Sequence, residues 1–272
     1  MSRKICCLLL AAVPWVTPTT LLSQDKDPRA RLTSAHTLYY TPTASGLKSF
    51  HCEAAIDWKS MLTRLSGVEI PDDNPALKFL QTVHLSVDDE LKGNGSLSWT
   101  SETDPPKDKA DAIKQIQDGL KTSVSGFFQT WNVYMNGSMV PIPDSTLTLT
   151  NVGDGIHLSG TSNGTSFDED FDKNMLLTKV RVVNPNMTVL ATPTYSTTPD
   201  GLLVSAVASQ ISQPSTAPPA EAIFRIDYVK VEAFQIPSRV VFDIKNTGVI
   251  EIAFNSCRVS RADWATRKPP SQ

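Results

Sequence analysis

The chain has 272 residues, of which 40% are hydrophobic and 19% charged, and its formal net charge is -3. That length supports one sizeable core or two small ones. With no Lys/Arg run and no polybasic amphipathic helix, the composition argues against a nucleic-acid groove and against attachment to anionic lipid.

The first 24 residues read as a secretory signal peptide: Arg3-Lys4, an apolar stretch from Ile5 to Val16, and a small or polar region from Thr17 to Ser23. The stretch is too short to span a bilayer, so no transmembrane segment is expected. Cys6 and Cys7 precede the apolar core and do not form a lipoprotein box. Residues 25–48 read as a mobile lead-in, 49–262 as one domain and 263–272 as a flexible tail.

Within the domain, Phe50, Cys52, Ala54 and Ile56 alternate as on a half-buried strand. Asp57 can cap a helix carrying Trp58, Met61, Leu62 and Leu65 up to Gly67. Asn74-Pro75 start a short helix through Leu80. Alternation resumes at Val83, Leu85 and Val87, and again at Leu97 and Trp99. The spacing predicts a long helix from Asp104 to about Thr130, with Ile113, Ile116, Leu120, Val124, Phe127 and Trp131 on its stripe. Gly119 and Gly126 each weaken it by about 1 kcal/mol, which suggests a kink or close packing. A hairpin is expected around Asn136-Gly137, from Trp131–Met135 to Ser138–Ile142. Thr146–Val152 pairs with Ile156–Gly160, and another hairpin turns at Asn163-Gly164.

From Asn174 onward, strands are expected at Met175–Val183, Thr188–Tyr195, Leu202–Ile211, Ala222–Glu232, Ile236–Lys245 and Val249–Val259. The turns between them are too short for parallel crossovers, so neighbours must be antiparallel. The fold class is therefore α+β: a large curved antiparallel sheet, an open half-barrel meander, covered by a long helix and short helices.

After leader removal only Cys52 and Cys257 remain, an even number in an oxidising compartment. A bridge would tie the first strand to the last, worth roughly 5 kcal/mol at most in the loop-entropy treatment. The alternative is two separately buried thiols.

Catalytic signatures are missing from the sequence. His36, His51, His84 and His157 lack zinc-ligand spacing, and there is no nucleophile elbow, P-loop or dinucleotide fingerprint. A serine triad gathered from distant segments would not be legible in sequence. Asp168, Asp170 and Asp172 would share a strand face, a calcium-like pattern without the rest of an EF-hand loop, and a charged turn is the simpler reading. No cofactor and no metal site is expected. Sequons occur at Asn94, Asn136, Asn163 and Asn186, of which three are Asn-Gly turn pairs. What remains is aromatic: Trp58, Trp99, Phe127, Phe128 and Trp131 are the ligand-cavity candidates, with ordinary core packing as the competing reading. Because Phe127 and Phe128 are adjacent, a narrow helical stripe cannot bury both.

Two stretches, Phe171-Asp-Lys-Asn-Met-Leu-Leu177 and Phe224 to Phe242 with Tyr228 and Pro237, resemble periplasmic lipoprotein carrier and outer-membrane lipoprotein-sorting (LolA/LolB-like) proteins. The resemblance implies an open β-barrel capped by helices, with an apolar cavity for acyl chains and no catalysis. The carriers' gating Arg has no identifiable counterpart here. The sequence thus leads to a non-enzymatic envelope protein that binds lipid or a lipoprotein acyl chain. The alternatives are a structural or adhesive β-protein with a filled core and, last, a hydrolase.

Overall fold

The structure is a computed structural model and describes residues 27–91, 95–136, 140, 146–162, 164–214, 218–245 and 248–262. The leader, the 263–272 tail and most of the expected Ser138–Ile142 strand lie outside the described residues.

The chain opens with helix α1 (Pro28–Ala35) and strand β1 (Leu47–Ala55), followed by α2 (Trp58–Ser66) and α3 (Pro75–Leu80). Strands β2 (His84–Asp89) and β3 (Ser96–Thr100) precede the long helix α4 (Ala110–Met135). Then come β4 (Thr148–Val152), β5 (Gly155–Ser162), β6 (Thr165–Phe171), β7 (Leu177–Asn184), β8 (Met187–Thr198) and β9 (Gly201–Ser212). The last strands are β10 (Ala220–Val231), β11 (Phe234–Ile244) and β12 (Gly248–Arg261).

All twelve strands form one open antiparallel sheet in the order β3-β2-β1-β12-β11-β10-β9-β8-β7-β6-β5-β4. This is the large antiparallel meander that the short turns imply. Its first and last strands, β1 and β12, are neighbours in the interior of the sheet. The segment carrying α4 therefore joins one sheet edge, β3, to the other, β4. A register shift between His51 and Glu53, with Ser256 at φ 50°, brings Cys257 opposite Cys52. The two are bonded across a sequence separation of 205.

Local signals act as expected in the short helices. Asp57 accepts from Ser60 N at 3.0 Å to start α2, and Gly67 ends it in the left-handed region. Asn74 caps α3, with Pro75 at its first position. The long helix differs from expectation at both ends. Asp104, Pro105 and Pro106 stay outside it, and Trp131–Met135, expected as a strand, are its last turns. Their short period is ambiguous in sequence; packing against the sheet decides for helix.

The lead-in is also part of the fold. Leu32 and Ala35 of α1 are fully buried. The backbone of Leu38–Tyr40 bonds to Leu202, where Gly201 (φ 121°) lets the two strands approach. This strap lies across the β8–β9 turn, and the Tyr40 hydroxyl accepts from Gln235 N at 3.0 Å.

Candidate binding face

Each strand presents one face to the interior. On β1 these positions are Phe50, Cys52 and Ala54; on β6, Phe167, Glu169 and Phe171; on β8, Val189, Ala191, Pro193 and Tyr195. The opposite, convex face is polar and cross-linked by ion pairs such as Arg239 with Asp227 and Glu251, and Arg181 with Asp168.

Helix α4 lies in the concavity. Phe127 meets Phe242 of β11 at 6.0 Å, while Phe128 meets Phe50 of β1 at 5.7 Å and Phe254 of β12 at 5.9 Å. Trp131 stacks edge-on to Phe50 at 5.8 Å. Both adjacent phenylalanines are therefore fully buried, contrary to the expectation that only one could be. The two rings find separate partners, β11 for Phe127 and β1 and β12 for Phe128. Gly95 belongs to the same packing, since a Cβ there would fall 2.5 Å from Phe128. Trp58 and Trp99 pair separately, at 5.6 Å. Trp99 also lines an open cleft of about 400 Å³ with Phe79, Pro105, Ala110 and Ile113.

Across the strands the inward residues form rungs. The outer rung runs Phe167–Val182–Val189–Ile211 and is partly exposed, Ile211 at 36%. One rung deeper is Glu169–Val180–Ala191, and all three are buried, Glu169 at 4% exposure. Deeper still, Phe171, Pro193 and Val207 are buried too. Glu169 is thus an acid in the apolar phase of its strand.

Its surroundings set its chemistry. Burial pushes its carboxyl up to about 8, and Oε2 has no hydrogen-bond partner. Tyr134 of α4, Tyr195 of β8 and Tyr39 of the strap complete the group. The Tyr39 ring meets Tyr195 edge-on at 5.4 Å. Burial pushes the Tyr39 hydroxyl up to about 12 and raises Tyr134 and Tyr195 as well. Tyr39 Oη donates to Met175 O at 2.9 Å and accepts from Leu177 N at 2.8 Å. Tyr195 Oη is buried and makes no geometrically acceptable hydrogen bond, although it lies beside Tyr39.

A second buried acid sits on the other flank of α4. Asp89, 1% exposed, accepts from Asn132 Nδ2 at 2.9 Å, and burial raises its carboxyl to about 7.

The rest of the acidic run serves other ends. Asp168 and Asp170 face outward around His157, whose Nδ1 lies 2.7 Å from Asp170 and Nε2 3.8 Å from Asp168. Asp172 instead closes the β6–β7 turn, accepting from Asn174 N and Leu176 N at 2.8 Å each. Among the described residues, no group of three or more His, Cys, Asp or Glu is placed to hold a metal ion.

Sequence reading missed Glu169, Tyr39, Tyr134, Tyr195 and Asp89. The signal for Glu169 was present in Phe167-x-Glu169-x-Phe171, an acid flanked by aromatics at strand period.

No protein family, curated protein or solved structure matches this chain. Among the described residues, no helix is long and apolar enough to cross a membrane.

Proposed function

We propose that this is an exported, non-enzymatic envelope protein that holds an apolar ligand, a lipid or lipoprotein acyl chain, against the rim of its concave face. The observation that carries the reading is the outer rung, Phe167–Val182–Val189–Ile211, which stays partly exposed on the inward face. Inward-facing apolar side chains that a fold leaves uncovered are where small apolar ligands sit. Phe127, Phe128 and Trp131 are buried against β1, β11 and β12, and Trp58 pairs with Trp99. The leader-like N-terminus and the Cys52–Cys257 bond support export. The likeness to lipoprotein carriers in Phe171–Leu177 and in Phe224–Phe242 supports the ligand class.

The test is native mass spectrometry of the mature protein, purified without detergent, with displacement of a fluorescent fatty acid as a second readout. Lipid-mass adducts that vanish on organic extraction are expected. The substitution Val189→Asp should abolish probe binding and leave the melting temperature nearly unchanged. The second reading is a structural or adhesive protein with a filled interior, favoured by the interlocked rings of Phe127, Phe128 and Trp131. A bare polypeptide that ignores the probe would establish it.

A further inference from the structure

We infer that Glu169, together with the rings of Tyr39, Tyr134 and Tyr195, forms a binding site for an organic ammonium group at the inner end of the concave rim. The inference deepens the apolar-ligand reading, and rests on it, by naming the head group that such a ligand carries.

Glu169 Oε2, buried in this cluster, has no partner, and Tyr195 Oη has only the Tyr39 hydroxyl beside it. Leaving such atoms unmet costs free energy that a ligand supplying N–H donors would recover. Beyond its own members, the ionisable group that acts on the cluster is Asp172, next to Tyr39, and it too is an acid. Nothing in that set neutralises an anion, so a carboxylate or phosphate head group is disfavoured. A cation would have two kinds of partner here: the carboxyl, and the neighbouring tyrosine rings, whose quadrupoles attract ammonium groups. Burial alone holds the Glu169 carboxyl high, and an ammonium beside it would restore the charged form.

Position gives the ligand its direction. Glu169 follows Phe167 by two residues on β6, which is one rung, or about 7 Å, deeper into the concavity. An alkyl chain lying over Phe167, Val182 and Val189 would deliver its head to Glu169. On the same rung, Val180 pairs with the small Ala191, so the ligand's head has little side-chain bulk to displace there.

The test uses three small probes by calorimetry at pH 7: hexylamine, its neutral twin 1-hexanol, and ethanolamine. Hexylamine is protonated there, as a lysine is. It should bind about tenfold or more tightly than hexanol, as a charge-assisted bond implies, and the near-isosteric Glu169→Gln should erase that preference while hexanol binding persists. In the unmutated protein, the ¹³C titration midpoint of the Glu169 carboxyl should fall when hexylamine is bound; this readout does not depend on the variant folding. Ethanolamine binding as tight as hexylamine would keep the ammonium site, make a free soluble amine its source, and remove the apolar-ligand reading. Equal binding of hexylamine and hexanol, or a preference untouched by Glu169→Gln, would overturn the site and leave that reading standing. Binding of none of the three would overturn both.

Discussion

Trp131 Nε1 donates a 3.0 Å hydrogen bond to the Tyr228 hydroxyl, which in turn donates to Val204 O at 2.7 Å. This relay ties the last turns of α4 to β10 and β9 in the middle of an otherwise apolar interface. Tyr228→Phe removes the shared oxygen and leaves both the indole N–H and the carbonyl unmet. A loss of about 1–3 kcal/mol is expected, read from the midpoint of chemical denaturation. An unchanged midpoint would mean that the relay adds nothing to stability.

The two buried acids make stability fall with rising pH. Their native carboxyls sit at about 8 for Glu169 and about 7 for Asp89, above ordinary carboxylate values. The native state therefore holds protons that the unfolded chain releases above roughly pH 4–5. Their contribution is complete below that range and is lost progressively up to about pH 8. For Glu169 the bound is on the order of 5 kcal/mol. Melting curves from pH 4 to pH 9 should show the decline. Glu169→Gln and Asp89→Asn should each flatten it.

Gly119 and Gly126 give an opposite expectation to the one their sequence positions suggest. A Cβ at either meets nothing within 4 Å, so neither is required for close packing. Gly119→Ala and Gly126→Ala should each stabilise by about 1 kcal/mol through helix propensity. Thermal melts of the single and double variants would check this. Destabilisation by either would expose a contact that the fold does not reveal.

Phe127 and Phe128 belong to the core. Phe128→Ala should cost about 3–5 kcal/mol, as for other buried aromatic truncations. Phe127→Asp should unfold the domain, because it places a charge against Phe242 and Phe128. Circular dichroism decides the second case: a folded Phe127→Asp protein would mean that the ring lies beside a space able to admit water.

The Cys52–Cys257 bond joins β1 to β12 inside the sheet rather than at an edge. Replacing both cysteines by serine should lower stability by several kcal/mol, with about 5 as the ceiling of the chain-entropy treatment. Reduction of the native protein, followed by urea denaturation, should give a similar shift.

Particular residues explain how much was legible. The six final strands follow from period-two alternation and from turns such as Asn184-Pro185-Asn186, whose geometry is local. Both stretches that suggest a carrier-like resemblance in the sequence contain turns of this sheet. Phe171–Leu177 is the Asp172-capped β6–β7 turn, and Phe224–Phe242 is the β10–β11 hairpin, with Pro237 at a register shift. Trp131–Met135 misleads because five residues fit either period, and only the sheet beneath them selects the helix. The adjacent pair Phe127 and Phe128 misleads because a stripe argument assumes a flat partner. The candidate site was least legible of all: Glu169 is one of several acids in a charged run, and its isolation comes from Tyr134 and Tyr195, which are distant in sequence.

By itself, then, the sequence determined an open antiparallel meander, a long covering helix and the two cysteines able to bridge its ends. Each rests on short-range chemistry: side-chain alternation, turn residues and composition. Tertiary structure alone decided that α4 spans from edge to edge and which inward side chains stay partly open at the rim. It also decided that Glu169 is a buried acid while Asp168 and Asp170 remain at the surface. Those outcomes depend on how a twelve-stranded sheet twists and curls around one helix, a long-range balance that no local window of residues encodes.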